Sequence, residues 1–417
     1  MRRLSFFSWL LIAVVAAAPV DAQQVNAFPE RDDPLHVKVE MFDELLRGNQ
    51  WNEGIFMQHV VYPPAGHERP IVGSQEDAIE CTAAMLAAYS YRYAVTGEPH
   101  VREWCEKIID GYLKLERVTG VEGWFARSFN RTGERLWHMD AYFFPRKWRE
   151  SESMPGYYWL GDVSSDKFTD LCYSIGIFYD LAAEGEYKEI AADFLERVVG
   201  RVVDQDYRLV DIDGKMTLWG NFSPYLPRQR LNSMQMLAAL KTAHRVSKNP
   251  RFRRAYHYLI DHHNYDDDTV MAKRFWTEDR THLHWGRNVP WDDKLASKAL
   301  YQLLKHEDDG ALRNKYLMSL HRHWHVWQMS DYERGHDVYY PMFYQVFTGD
   351  EVFTEEIQEA MKGRWGFDRN QRTFSIPQED GETRRVESEE DHGGIETTLL
   401  IRDYWFGRYY GLIDPEW

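Results

Sequence analysis

The sequence has little cysteine: only Cys81, Cys105 and Cys172 occur in 417 residues. Three cysteines cannot build the disulfide framework that holds many small secreted domains together, so that class of fold is excluded. Cys81 and Cys105 fall on the two helices of one predicted hairpin, where they could pair in an oxidising compartment and leave at least one thiol free. The alternative is that all three are buried small apolar residues.

Positive charge is scarce as well. The chain has 50 Lys and Arg against 66 Asp and Glu, which gives a formal net charge of −16 at pH 7. A surface this acidic repels polyanions, so we expect no nucleic acid among the partners.

Long apolar runs are also missing. The run at residues 10–18 is too short to span a bilayer, follows Arg2 and Arg3, and precedes the small-residue segment at 20–22. This is the pattern of a cleavable secretory signal peptide. We therefore predict a signal peptide over residues 1–22, a secreted or periplasmic protein, and no stable membrane insertion after cleavage.

What the sequence does have is a recurring short polar hinge. Each hinge follows an apolar helical stretch and precedes an amphipathic one, which predicts a series of helical hairpins. The five hinges are VTGEP ending at Pro99, AEGEY at Tyr187, SKNPR at Arg251, HEDDG at Gly310 and FTGDE at Glu351.

The two helices of each hairpin differ in pattern. The stretch from about Glu76 to Tyr93 is apolar nearly all round, whereas the next helix carries one apolar stripe through Val101, Cys105 and Tyr112. With an opening helix at about 35–46 and a last one at about 395–410, roughly twelve helices are predicted. That number fits an all-α (α/α)6 barrel in one domain, residues 23–417, with at most a small β-hairpin near residues 209–218.

Four long segments interrupt the helices: 117–164, 205–228, 264–291 and 364–392. They are rich in Trp, Tyr, Gly, Pro and charge, none repeats the helical period, and each leads into an inner helix. Loops of this length in a compact domain usually carry function. The 16 tryptophans of the chain suit either a large aromatic core or stacking on sugar rings.

Polar clusters open almost every predicted inner helix. Ser and Asp at such positions are explained one at a time by capping of free backbone N–H groups. Taken together they predict a polar site, because the starts of the inner helices converge at one end of a closed barrel. The clusters are 74–77, 164–166, 230–233, 291–293, 336–337 and 390–394.

Hydrolysis of a glycosidic bond needs two carboxyl groups, one to protonate the leaving group and one ionised. The best pair by context is Asp166 and Asp293, each close in sequence to a tryptophan whose apolar ring can raise the pKa of a carboxylic acid. Asp292 is adjacent to Asp293, and the two can differ in role, one capping the helix and one reacting.

Other residues are predicted to bind substrate. Arg127 is a candidate partner for a uronate or a sulfate, although solvated arginines are commoner. His282 and His284 lie in a loop and are candidate proton donors, ligands or surface residues. The predicted substrate-binding set is Trp124, Arg127, Trp159, Asp162, Trp219, Asn232, His284, Trp285 and Trp291.

No metal or cofactor is predicted. Among His321, His323 and His325 only the first and third share a helix face, and the HExxH pattern is absent. The acidic run at 266–268 has the spacing of neither an EF-hand nor a DDxxD diphosphate-binding motif and is interpreted as a solvated turn.

The hinges and the motifs GDVSSDKFTDLCYSIGIFYDL, LWGNFSPYLPRQRLNSMQML and NVPWDDKLASKALYQLLKHEDD resemble the six-hairpin, or (α/α)6-barrel, glycosidase superfamily over about residues 50–410. The closer resemblance is to secreted bacterial members with SSD and SDD motifs at inner-helix starts. It implies essential aspartates at Asp166 and at Asp292 and Asp293. Trp291 stands where the second motif has Ser, and the opening SQEDAIEC lacks an expected Trp.

We therefore expect a glycoside hydrolase acting on a poly- or oligosaccharide, with a uronate-containing glycan as one candidate. One alternative is a polysaccharide lyase on the same scaffold, with His282, His284, Arg127 and Asn232 as its groups. Another is a glycan-binding protein without turnover.

Overall fold

A computed structural model describes residues 29–30, 32–58, 60–61, 71–72, 76–131, 148–272, 291–329, 337–363, 368–377, 383–392 and 394–417. Thirteen helices lie in these ranges. They are α1 Leu35–Asn49, α2 Ala78–Thr96, α3 Pro99–Arg117, α4 Ser165–Leu181, α5 Gly185–Asp204, α6 Arg230–Ser247, α7 Pro250–His263, α8 Tyr265–Val270, α9 Trp291–His306, α10 Gly310–Met329, α11 Tyr339–Thr348, α12 Glu355–Lys362 and α13 Gly394–Tyr409.

The helices alternate between an inner and an outer ring. The inner ring is α2, α4, α6, α9, α11 and α13, and the outer ring is α1, α3, α5, α7, α10 and α12. Aromatic rings join inner neighbours: Tyr91 of α2 meets Phe406 of α13 at 5.6 Å, and Phe406 meets Tyr339 of α11 at 4.9 Å. Tyr301 of α9 meets Phe347 of α11 at 5.8 Å. The predicted (α/α)6 toroid is therefore confirmed.

Ion pairs show that inner helices run in the same direction. Near the N-terminal ends, Lys167 of α4 reaches Asp77 at the start of α2, and Lys294 of α9 reaches Glu396 of α13. At the other end, Asp180 of α4 contacts Arg245 of α6 and His306 of α9. The predicted convergence of inner-helix starts is thus present.

The hinges end the inner helices as the sequence predicts. Gly97 and Gly349 adopt the left-handed conformation after α2 and α11, with φ of 67° and 81°, and each donates its backbone N–H to the last turn of the helix. Pro99 and Pro250 then open α3 and α7 at a position where no backbone N–H is needed. Outer helices present one apolar stripe inward, as in α3, where Val101, Cys105 and Ile108 are buried.

The strands exceed the prediction of at most one small hairpin. The described strands are β1 Trp51–Asn52, β2 Ile55–Phe56, β3 Val60–Val61, β4 Ile71–Val72, β5 Ser128–Arg131, β6 Trp148–Glu150, β7 Tyr157–Leu160, β8 Arg208–Val210, β9 Met216–Asn221, β10 Asp368–Pro377 and β11 Thr383–His392. They form four small antiparallel sheets.

The predicted hairpin near 209–218 is confirmed as β8 and β9, with Gly214 at φ 75° in the turn. The interpretation of 364–392 as loop is wrong, because β10 and β11 pair there over ten residues each. In that segment the alternation of charged and β-favouring residues is too irregular to predict a strand. The two strands are stabilised by pairing with each other and by the pairing of β11 with β3.

The three cysteines are free and buried. The possible disulfide between Cys81 and Cys105 is therefore absent, and the alternative of three buried small apolar residues is confirmed. Over the described residues no helix is long and apolar enough to cross a membrane. Residues 1–22, where the signal peptide is predicted, lie outside the described part.

Candidate functional site

A buried lysine links the starts of the first two inner helices. Lys167, in the first turn of α4, has a side chain that is 0% exposed, and its Nζ lies 2.6 Å from Asp77 Oδ1, 3.2 Å from Asp166 Oδ2 and 3.4 Å from Glu80 Oε2. Asp77 and Asp166 keep 29% and 30% of their side-chain surface exposed. Two solvent-accessible carboxylates therefore flank one inaccessible ammonium group.

A second buried pair continues this cluster into the barrel. Lys298 Nζ of α9 lies 2.5 Å from Asp170 Oδ1 and 3.6 Å from Glu80 Oε1. Asp170 is fully buried one turn below Asp166 on α4, and Lys298 is almost fully buried. Glu80 therefore sits between the two lysines and connects the upper pair to the lower one.

Asp166 is held in its ionised form. Burial opposes ionisation, but Lys167, Arg127, the Ser164 hydroxyl and the Lys167 backbone N–H together hold the pKa of Asp166 well below its usual range. The backbone bond measures 2.9 Å and ends on Oδ1, which also accepts from Ser164 Oγ. An anion stabilised in this way can act as a base or a nucleophile but not as a proton donor at neutral pH.

The lysines are equally fixed in their charged forms. Burial alone would lower the pKa of Lys167, yet the carboxylates of Asp166, Asp77 and Glu80 raise it well above its ordinary value. Burial likewise opposes ionisation of Glu80, and Lys298 and Lys167 nevertheless keep its pKa low. Lys167 cannot serve as a general base, because it has no free lone pair when protonated.

Arg127 and Asp162 form a frame beside the acids rather than an open binding surface. Arg127 is buried, and its guanidinium donates to the backbone carbonyls of Glu76 at 3.2 Å and Asp162 at 3.2 Å. The Asp162 carboxylate is also buried and accepts from the backbone N–H of Leu218 at 3.0 Å. The predicted roles of these two in substrate binding stay predictions.

The predicted tryptophans divide into two groups. Trp124 and Trp159 are buried, 1% and 2% exposed, so their indole faces are closed to a sugar in this structure and they belong to the hydrophobic core. Trp219 on β9 is 53% exposed. Asn232 of α6 is nearly buried and donates to the backbone carbonyl of Asn221 at 2.7 Å, so its amide supports the loop after β9.

Several predicted residues fall outside the described side chains. Trp291, Asp292 and Asp293 form the first turn of α9, which puts their backbone at the same end of the ring as Asp166, but their side chains are not described. His282, His284 and Trp285 lie in 273–290, outside the described residues. The pairing of Asp166 with Asp293 stays a prediction.

No group of three metal-ligating side chains occurs within the part of the chain that the structure describes. His321 instead bonds the Tyr344 hydroxyl at 2.8 Å, and His323 stacks on Tyr340. Asp266 of the acidic run pairs with Lys315, and Asp268 pairs with Arg228 at 2.8 Å.

Lys167, Lys298 and the deeper acids Glu80 and Asp170 were not among the predicted site residues. Their pattern is visible in retrospect: Asp77 and Glu80, Asp166 and Asp170, and Lys294 and Lys298 are each three or four residues apart on helices that are otherwise apolar all round. The deeper members, Glu80, Asp170 and Lys298, have little or no solvent to face, so they must pair with each other.

No protein-family model and no curated protein matches this chain. Solved structures with a related shape include a sugar epimerase from a ruminal bacterium, at 12% identity over 89% of this chain and 98% of that one, with a TM-score of 0.49. A D-mannose isomerase matches at 10% identity over 91% and 99%, with a TM-score of 0.46. The GH76 α-mannanase BT2949 of Bacteroides thetaiotaomicron matches at 11% over 91% and 96%, with a TM-score of 0.47.

The fold is an (α/α)6 barrel. The resemblance noted in the sequence is thus confirmed for architecture, on the six inner and six outer helices of the chain itself. Similarities at these TM-scores carry no information about the reaction, which has to be argued from the side chains.

Proposed function

We propose that this protein is a carbohydrate-active enzyme, and more specifically a glycoside hydrolase acting on a poly- or oligosaccharide. The observation that carries the proposal is the partly exposed carboxylate of Asp166, which the buried ammonium of Lys167 keeps ionised at the end of the ring where the inner helices begin. Asp77 contacts the same Nζ atom, so the nearest oxygens of the two carboxylates lie at most about 6 Å apart and belong to one site.

Asp166 has the role of the ionised carboxylate. It is ionised at neutral pH, and both activation of a water molecule and direct attack on the anomeric carbon need the anion. The proton for the leaving group comes from a second carboxyl, for which we propose Asp293, at the start of the neighbouring inner helix.

The lyase alternative is less well supported. It would require Arg127 and Asn232 to neutralise a uronate, yet Arg127 is bonded to two backbone carbonyls and Asn232 to a third. Both side chains are buried and hold the protein backbone, so they offer little surface to a substrate carboxylate.

The first test is turnover on a panel of soluble polysaccharides and oligosaccharides, followed as new reducing ends and as ultraviolet absorbance of unsaturated products. We expect reducing ends without the absorbance. Asp166→Asn should lower kcat/KM by about a hundredfold or more, because it removes the anion. Asp193→Asn, on the exposed face of α5, is the matched control and should behave like the wild type.

The proton donor is identified with an aryl glycoside whose leaving group needs no protonation. Asp293→Asn should be inactive on the natural glycan and recover on the aryl substrate, whereas Asp166→Asn should stay inactive on both. Recovery in Asp77→Asn instead would assign the donor to Asp77. Full activity in both Asp166→Asn and Asp293→Asn, or an unsaturated product that survives Asp166→Asn, would contradict the hydrolase proposal.

A further inference from the structure

An exposed apolar surface lies on one short segment of the chain. Nine large apolar side chains are well exposed among the described residues, and six of them fall between residues 212 and 226. These six are Ile212, Met216, Leu218, Trp219, Tyr225 and Leu226. Such clustering of exposed apolar side chains, within the part of the chain that the structure describes, marks a binding surface.

The exposure of Leu218 and Trp219 results from a wide bulge in β9. Arg208 pairs with Asn221 and Val210 pairs with Met216, so the single residue Leu209 faces four residues of β9. In a regular strand, neighbouring side chains point to opposite faces, yet Leu218 and Trp219 are consecutive and are 66% and 53% exposed. Bulges of this kind redirect side chains beside functional sites.

Gly220 makes the bulge possible. A Cβ atom at this position would lie 2.2 Å from Thr217 Oγ1 and 3.0 Å from the backbone oxygen of Leu209. Any side chain would therefore push β9 away from β8. The bulge depends on this specific residue, which is a reason to regard it as a built feature of the hairpin.

Polar contacts behind the hairpin hold it against the site. Asp211 is buried, pairs with Arg149 at 2.9 Å and accepts the backbone N–H of Asp162 at 3.0 Å. The Asp162 carboxylate in turn accepts a hydrogen bond from the backbone N–H of Leu218. Phe222, directly after β9, packs on Phe168 of α4 with ring centroids 5.3 Å apart. These contacts hold the β8–β9 hairpin against the start of α4, where Asp166 lies.

We propose that Leu218 and Trp219 form a platform on which a pyranose ring of the glycan chain stacks when the chain lies across the Asp77 and Asp166 carboxylates. This inference rests on the proposed function and adds that the substrate extends beyond the cleaved bond to a further sugar ring on the platform. Asp162 accepts a hydrogen bond from the platform and lies four residues before Asp166, so the platform is continuous with the acidic site. This continuity favours a saccharide over a second copy of the protein as the bound partner. An indole face suits the apolar face of a pyranose, and the surrounding acids suit a neutral chain better than a polyanion.

The test compares wild type with Trp219→Ala, with Trp219→Phe as the conservative variant and Met318→Ala as the control on an exposed residue of α10. On the glycan that the wild type cleaves, Trp219→Ala should raise KM about tenfold with little change in kcat. Trp219→Phe should restore part of the loss, and Met318→Ala should have no effect. Native affinity electrophoresis in the same glycan should show the matching loss of retention.

The outcomes separate this inference from the proposed function. If Asp166→Asn abolishes cleavage while Trp219→Ala retains the wild-type KM and retention, the platform is wrong and the hydrolase stands. If retention depends on Trp219 but no glycan is cleaved, the platform stands and the hydrolase is wrong. Absence of both binding and cleavage contradicts both, and a dimer that becomes a monomer in Trp219→Ala would assign the surface to a second copy.

Discussion

At the scale of single residues, the decisive feature is a charge that water cannot reach. The ammonium group of Lys167 contacts three carboxylates, two at the start of α2 and one on α4, and the lysine side chain is fully buried. A buried charge without its ion-pair partners lowers the stability of the fold, and so do buried carboxylates that lose their cation. Lys167 is therefore both a structural link between α2 and α4 and the cause of the low pKa of Asp166.

Replacing this lysine should affect stability and pH dependence together. We expect Lys167→Met to lower the free energy of unfolding by about 3–5 kcal/mol, since Asp77, Glu80 and Asp166 then share one region without the cation. Lys188→Met, on the exposed face of α5, is the matched control and should be near neutral. Urea denaturation at neutral pH measures both variants.

The sign of the pH effect follows from the direction of the shift. A carboxyl whose pKa is depressed on folding contributes stability above its unfolded value, about 3.9 for Asp, and loses it as the pH falls through the folded value. The deficit of Lys167→Met should therefore be largest at neutral pH and shrink below about pH 4. The acidic limb of kcat/KM should move to higher pH in the variant, because Arg127, Ser164 and the backbone N–H of residue 167 hold Asp166 ionised less strongly without the ammonium group. A deficit that is constant from neutral to acidic pH would contradict this assignment.

At the scale of elements, a close backbone contact fixes the first hairpin of strands against the outer ring. The β1–β2 turn places Glu53 and Gly54 at φ 47° and 112° and rests on Gly111 of α3. A Cβ atom at Gly111 would lie 2.1 Å from the backbone oxygen of Gly54. Two glycines are required because the two backbones touch directly.

Gly111→Ala should be destabilising although alanine favours helices. The helix preference gains about 1 kcal/mol, but the overlap with a backbone atom forces the turn away from α3 at a cost of about 1–3 kcal/mol or more. Gly310→Ala is the control, since a Cβ there would meet no heavy atom within 4 Å. Thermal unfolding of the two variants should show a lower Tm for Gly111→Ala only, and equal Tm values would contradict the contact.

At the scale of the whole molecule, the fold is held by packing and ion pairs rather than by disulfides. All three cysteines are buried thiols, and burial raises the pKa of Cys105 to about 12. In the native protein none should react with a thiol reagent at neutral pH, and all three should react in denaturant. A reducing agent should leave Tm unchanged, and a fall in Tm on reduction would reveal a disulfide.

Local patterns predicted much of the architecture. The polar hinges and the contrast between all-apolar and one-sided helices predicted the helical hairpins and the two rings, and the pattern near residues 209–218 predicted β8 and β9. Each of these depends on residues close together in sequence. The pairing of β10 with β11 escaped notice because a strand in a mostly helical chain is stabilised by its partner more than by its own residues.

The sequence by itself determined the number of hairpins, the hinges at which the inner helices end and the presence of Asp166 at the start of one inner helix. The contacts of Asp166 were decided only when the ring closed, since Lys167 meets Asp77 from a position 90 residues away and Lys298 meets Asp170 across 128. The exposure of Trp219 and the burial of Trp124 were likewise decided by tertiary structure. Helical period and turn chemistry act over a few residues, whereas charge pairing and burial depend on which helices become neighbours.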